Sequence, residues 1–127
     1  MAFQLGQTLF NEATGEVQRH LWIIASDPRK GDRVVLVNLS TKPCGRPPEC
    51  LLGPTEHKSL SRRSYVRFDM ARLTELSKLD AAMKKGLFQP SGNLTPELLE
   101  KVQTALLASP LTPREVKELL RAQGFAP

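Results

Sequence analysis

Cysteine is scarce in this 127-residue chain: Cys44 and Cys50 are the only two, six positions apart in one Pro-rich stretch. With no second cysteine pair, a structural zinc site is not expected. In a reducing cytosol the two read as free thiols rather than a disulfide. No apolar run approaches the roughly 18–20 residues that a membrane helix needs. The opening residues, MAFQLGQTLF, hold no basic segment followed by a long apolar one, so no signal peptide is expected and the cytoplasm is the expected location. Also absent are a Gly-rich phosphate cradle, a metal-ligand cluster and a nucleophile elbow, so neither metal nor cofactor is expected.

What is present is an ordinary apolar fraction of 40% and a basic balance, 18 Lys and Arg against 13 Asp and Glu, for a net charge of +5. The length suits one domain with a real core. The positive excess points toward a polyanionic partner. The cations cluster in the first half, as RKGDR at 29–33 and HKSLSRR at 57–63.

The strongest local pattern runs from Arg19 to Thr41. Two apolar β-type runs, 20–26 and 33–39, flank the turn DPRKGD and predict a hairpin. Val34, Val35, Leu36, Val37 and Leu39 suit a strand covered on both faces. A shorter strand is predicted around Thr8–Phe10, and KPCGRPPE at 42–49 predicts a surface loop, since its prolines forbid regular structure. A brief strand is expected at 50–52. Alternation over 64–70 predicts a half-buried strand with Val66, Phe68 and Met70 facing inward. Leu73, Leu76, Leu79 and Met83 then fall at helical spacing, with Gly86 as the stop. A loop is expected at 87–94, because it holds Pro90 and Gly92. Thr95-Pro96 and Thr112-Pro113 predict two capped helices, the second with capping-box spacing. Strands first and helices afterwards predict a segregated α+β fold, its strands forming a small closed or half-closed barrel. The expected organisation is a barrel with a short helix at 1–88 and a helical extension packed on it at 89–127.

The hairpin brings a cation, an imidazole and hydroxyls to one rim of the sheet. Arg19 and His20 read either as a phosphate-binding and proton-transferring pair or as a solvent-facing start of a strand. Ser40 and Thr41 read either as donors to a phosphate or as turn hydroxyls. His57, in the irregular GPTEHKS, is a ligand-facing candidate or a solvated loop residue. Lys58, Arg62, Arg63 and Arg67 read as an electrostatic track for nucleic acid or as a soluble face. Tyr65 points outward as a stacking surface for a base, whereas Trp22 belongs to the core.

In order and spacing, the segments LGQTLF, RHLWIIASDP, RVVLVNLST and SLSRRSYVRFDMARLTEL resemble the MazF/PemK family of toxin–antitoxin ribonucleases. The likeness covers about residues 4–83. The chain departs from the family pattern at Gln7, where Asp follows the glycine, and at His20, where proline follows the arginine. The resemblance implies an SH3-like barrel, usually a homodimer, that cleaves single-stranded RNA without a metal and is neutralised by an antitoxin. It implies Arg19 as the catalytic arginine and Ser40 or Thr41 as the site hydroxyl. The His20-Leu21-Trp22 run further resembles PemK-like proteins of an HLW type with a GxxxH segment, which adds His57 as general acid or base. The alternative is a non-catalytic barrel that binds nucleic acid or an acidic protein.

Overall fold

The structure, a computed structural model, describes residues 2–11, 20–42, 50–57, 60 and 63–125. Arg19, Lys58, Arg62, Cys44 and most of the Pro-rich stretch lie outside them. Seven strands and three helices follow in the order β1 (Gln7–Asn11), β2 (Leu21–Ile24), β3 (Arg33–Ser40), β4 (Leu51–Leu52), β5 (Ser64–Val66), β6 (Arg72–Glu75), α1 (Leu76–Lys84), β7 (Phe88–Asn93), α2 (Pro96–Ala108) and α3 (Arg114–Ala122). The sheet runs β4-β5-β3-β2-β1-β7, with β6 also paired to β3, and all its pairings are antiparallel. The α+β expectation holds. Among the described residues the strands form an open sheet, because no ladder joins β4 to β7.

The hairpin between β2 and β3 has the expected form. Asp27 caps the turn by accepting from the Arg29 backbone N–H at 2.9 Å, and the Arg29 guanidinium returns two bonds to the same carboxylate. Those bonds hold the Asp27 carboxyl below the ordinary aspartate value. Beyond the turn, Val34–Leu39 of β3 is buried throughout, because both faces of the sheet are covered. One core takes Leu21, Ile23, Val35, Val37 and Leu39 against Val102, Leu106, Val116 and Leu120 of the last two helices. The other takes Leu9, Trp22, Ile24, Val34 and Leu36 against Leu79 and Met83 of α1.

Four expectations are corrected. The strand over 64–70 ends at Val66, and a 3-10 turn at Phe68–Met70 follows, which buries Phe68 and leaves Met70 46% exposed. Leu73 is not the first residue of a helical stripe. It lies in β6 opposite Val35, and the helical period begins at Leu76. Residues 88–93 form β7 rather than a loop. Pro90 is tolerated there because β7 is an edge strand. Gly92, at φ +89°, supplies a bulge: the register with β1 shifts, so Ser91 and Gly92 together face Thr8. Finally, Thr95 caps α2 by accepting from the Leu98 N–H, but α3 has no side-chain cap, and the buried Thr112 hydroxyl meets no partner among the described residues.

Thr8 organises the bulge. Its hydroxyl lies 2.9 Å from the Ser91 carbonyl and 3.0 Å from that of Gly92. One hydroxyl proton serves these acceptors, so the oxygen accepts from His57, whose Nε2 lies 2.9 Å away. His57 is 6% exposed and ties the loop after β4 to the β1–β7 edge. Thr8→Val should therefore cost about 1–3 kcal/mol in urea unfolding, because it removes the hydroxyl that bonds the buried imidazole and the two carbonyls. Thr112→Val should leave stability equal or higher in the same measurement, because its buried hydroxyl has no partner to lose among the described residues.

Candidate functional site

The predicted rim is set by register. Trp22 stands opposite Asn38, so two residues further His20 falls opposite Ser40. Ser40 is paired on its other side with Tyr65. Asn11 closes the row: its N–H donates to the His20 carbonyl at 3.3 Å. Its side-chain oxygen accepts from the His20 N–H at 2.9 Å and from the Trp22 indole N–H at 3.1 Å. Asn11, His20, Ser40 and Tyr65 thus cross four strands at one end of the sheet. Alternation puts them on the Trp22 side, beyond the part of that face that α1 covers.

His20 is half-buried, and its Nδ1 lies 3.1 Å from the Leu39 carbonyl. A carbonyl only accepts, so Nδ1 carries the proton, and in the neutral ring Nε2 is left as a base. The Ser40 oxygen accepts from the Lys42 N–H at 3.2 Å, which leaves its own proton free to donate. Thr41 is exposed beside it.

The other candidates divide. His57 bonds to Thr8, which is paired with Ile23 on the opposite face of the sheet from His20. The structure therefore does not bring the two histidines into one cluster. Arg63 is exposed. Arg67 stands beside Asn38, whose carbonyl accepts from its N–H, but its guanidinium grips Asp69 at 2.9 and 2.7 Å. Its charge is thus shared with a carboxylate. Arg19, Lys58 and Arg62 lie outside the described residues.

No group of three or more His, Cys, Asp or Glu among the described residues could hold a metal ion. Cys50 is buried, and that burial pushes its thiol above the ordinary value, which disfavours the nucleophilic thiolate. Sequence reasoning missed two residues beside the rim. Arg72 lies over the Trp22 ring, its guanidinium carbon 4.8 Å from the centroid. It also lines a groove of about 530 Å³ with Arg33, Lys78, Leu36 and Phe88. Asn38 is 4% exposed, and its side-chain oxygen has no partner among the described residues. The signal for Asn38 was present, as the one polar residue inside the buried run Val34–Leu39. Arg72 carried none, because its place over Trp22 depends on β6.

No protein-family model and no curated protein matches this sequence. Solved structures do match it. A chain of the MazE-MazF crystal structure (Form III) from Deinococcus radiodurans aligns at TM-score 0.56 and 13% identity, over 83% of this chain and 92% of that one. Form II of the same pair aligns at TM-score 0.56 and 14% identity, over 85% and 94%. An endoribonuclease in complex with its cognate antitoxin, from a mycobacterial species, aligns at TM-score 0.55 and 24% identity, over 84% and 92%. At these identities the likeness is one of fold, and the fold of this chain is that of the MazE-MazF and endoribonuclease–antitoxin chains it matches.

Proposed function

We propose that this chain is the toxin of a toxin–antitoxin pair, a MazF-like endoribonuclease that cuts single-stranded RNA without a metal. The observation that carries the reading is the shared fold over more than four fifths of both chains with solved MazE-MazF and endoribonuclease–antitoxin structures. The rim adds the chemistry. Arg19, next in sequence to His20, contacts the scissile phosphate and stabilises the charge developing on its oxygens. The unprotonated Nε2 of His20 takes the proton of the ribose 2′-hydroxyl. The 2′ oxygen then bonds to phosphorus as the bond to the 5′ oxygen breaks, and the 5′ oxygen leaves with a proton returned by the imidazolium. Ser40 and Thr41 donate to a phosphoryl oxygen.

The proton-transfer role goes to His20 because the Nε2 of His57 is engaged by Thr8; Lys58, Arg62 and Arg63 follow His57 in sequence. These cations and the net charge of +5 supply the field that attracts RNA and an acidic antitoxin. The protein acts as a homodimer in the cytoplasm, with the sheet curved into an SH3-like barrel and α2 and α3 as its extension.

The test is cleavage of a labelled single-stranded RNA by the purified chain in excess EDTA. Arg19→Ala should lose about 100-fold or more in rate, and His20→Ala a comparable factor. His57→Gln should act mainly on stability. If Arg19→Ala and His20→Ala both cut like the wild type, the assignment is wrong. Salt-sensitive RNA binding with no cleavage products would instead make the chain a non-catalytic nucleic-acid module.

A further inference from the structure

One step inward from the rim, on the same face, stands a polar group that the fold does not use. Asn38 is two residues from Ser40 along β3 and directly opposite Trp22. Its side-chain oxygen is sealed from solvent and, among the described residues, receives no hydrogen bond. An unsatisfied buried amide costs stability, and an apolar residue would fit the surrounding run better. Its neighbours are an aromatic plane and two cations. Trp22 is fixed by its indole bond to Asn11 and by the edge-on Phe88 ring, 6.4 Å away at 88°. Arg67 lies across the strand from Asn38. Arg72 covers the indole face. It is exposed, and among the described residues no carboxylate pairs with it.

We propose that Trp22, Asn38 and Arg72 form a nucleobase subsite next to the cleavage rim, with Asn38 as the residue that reads the base. This rests on the RNA reading above. An exposed cation–π contact is weaker than stacking of a base on an aromatic ring. An incoming base therefore displaces the Arg72 guanidinium, stacks on Trp22 and reaches the amide. An amide with an acceptor and a donor side by side matches adenine, whose N6 amino group donates to Oδ1 while N7 accepts from Nδ2. The displaced guanidinium remains tethered at the groove mouth, where it meets the phosphate of the bound nucleotide. About 7 Å along β3 separates Asn38 from Ser40, so base reading and phosphate handling fall on neighbouring parts of one strand of RNA.

Trp22 is the only tryptophan, so its fluorescence reports on this contact directly. The experiment uses the full chain and fluorescein-labelled 2′-O-methyl octauridine carrying a single central A, C, G or U, which cannot be cleaved. Anisotropy measures binding, and tryptophan emission measures stacking. The central-A oligonucleotide should bind about tenfold tighter than the others and quench Trp22. Asn38→Leu, which is nearly isosteric, should bring all four within about threefold while the melting temperature holds or rises. Binding that leaves Trp22 emission unchanged overturns the subsite, as does an Asn38→Leu variant that keeps the preference. If none of the four binds, the subsite and the nucleic-acid reading fall together. Binding with the predicted preference, but no cleavage of unmodified RNA, removes the nuclease reading and leaves the subsite standing.

Discussion

The burial of β3 on both faces is the constraint from which the rest of the architecture follows. A strand whose residues 34–39 are all buried needs one cover above and another below. Alternation sends Val35, Val37 and Leu39 to the α2–α3 side and Val34 and Leu36 to the α1 side. At eight residues β3 is also longer than any partner, so its second edge is shared. β6 takes the stretch from Arg33 to Leu36, and β5 takes Leu39 and Ser40. The chain must turn between the two, and the 3-10 turn at Phe68–Met70 does this while it inserts Phe68 into the core. The C-terminal helices are held to the sheet by more than apolar contact. Gln103 donates to the Ala25 carbonyl from inside the core, and Gln123 exchanges hydrogen bonds with the Asp27 backbone. Both carbonyls lie just past the end of β2, where the ladder no longer satisfies them.

Where periodicity and turn chemistry acted locally, the sequence was readable. The β2–β3 hairpin and the cap of α2 came out as expected because each is decided within a few residues. β6 and β7 did not. Leu73 fits a helical stripe and a strand equally well, and only pairing with β3 decides between them. Pro90 and Gly92 argue against a strand in general, yet at an edge that bulges opposite Thr8 neither is costly. The missing cap of α3 has a similar cause: Thr112 is carried into the interior, away from the helix N-terminus that its hydroxyl would have capped.

The rim was legible for one reason, which is that a hairpin fixes which residues are neighbours across its strands. Once DPRKGD is a tight connection, His20 and Ser40 must face each other. His57 had no such relation to the rim, and its bond to Thr8 depends on a bulge between β1 and β7 that no local signal announces. Asn38 and Arg72 were hidden differently. Asn38 is unremarkable until both faces of β3 are known to be covered, and Arg72 until β6 lays it over Trp22.

Charge at this surface is better judged by pairing than by count. Arg67 stands two residues beyond Tyr65, yet it is held by Asp69, with the two side chains 25% and 37% exposed. A pair that accessible is weak in water, and a phosphate offers the guanidinium the same planar geometry as the carboxylate it would replace. Arg72 differs in kind, because among the described residues its partner is the face of an aromatic ring rather than an anion. The two arginines flank Asn38, one paired with a carboxylate and one, among the described residues, with an aromatic ring. A polyanion strand crossing this face would therefore meet the Arg72 charge over Trp22 directly, and the Arg67 charge in full only as Asp69 is displaced.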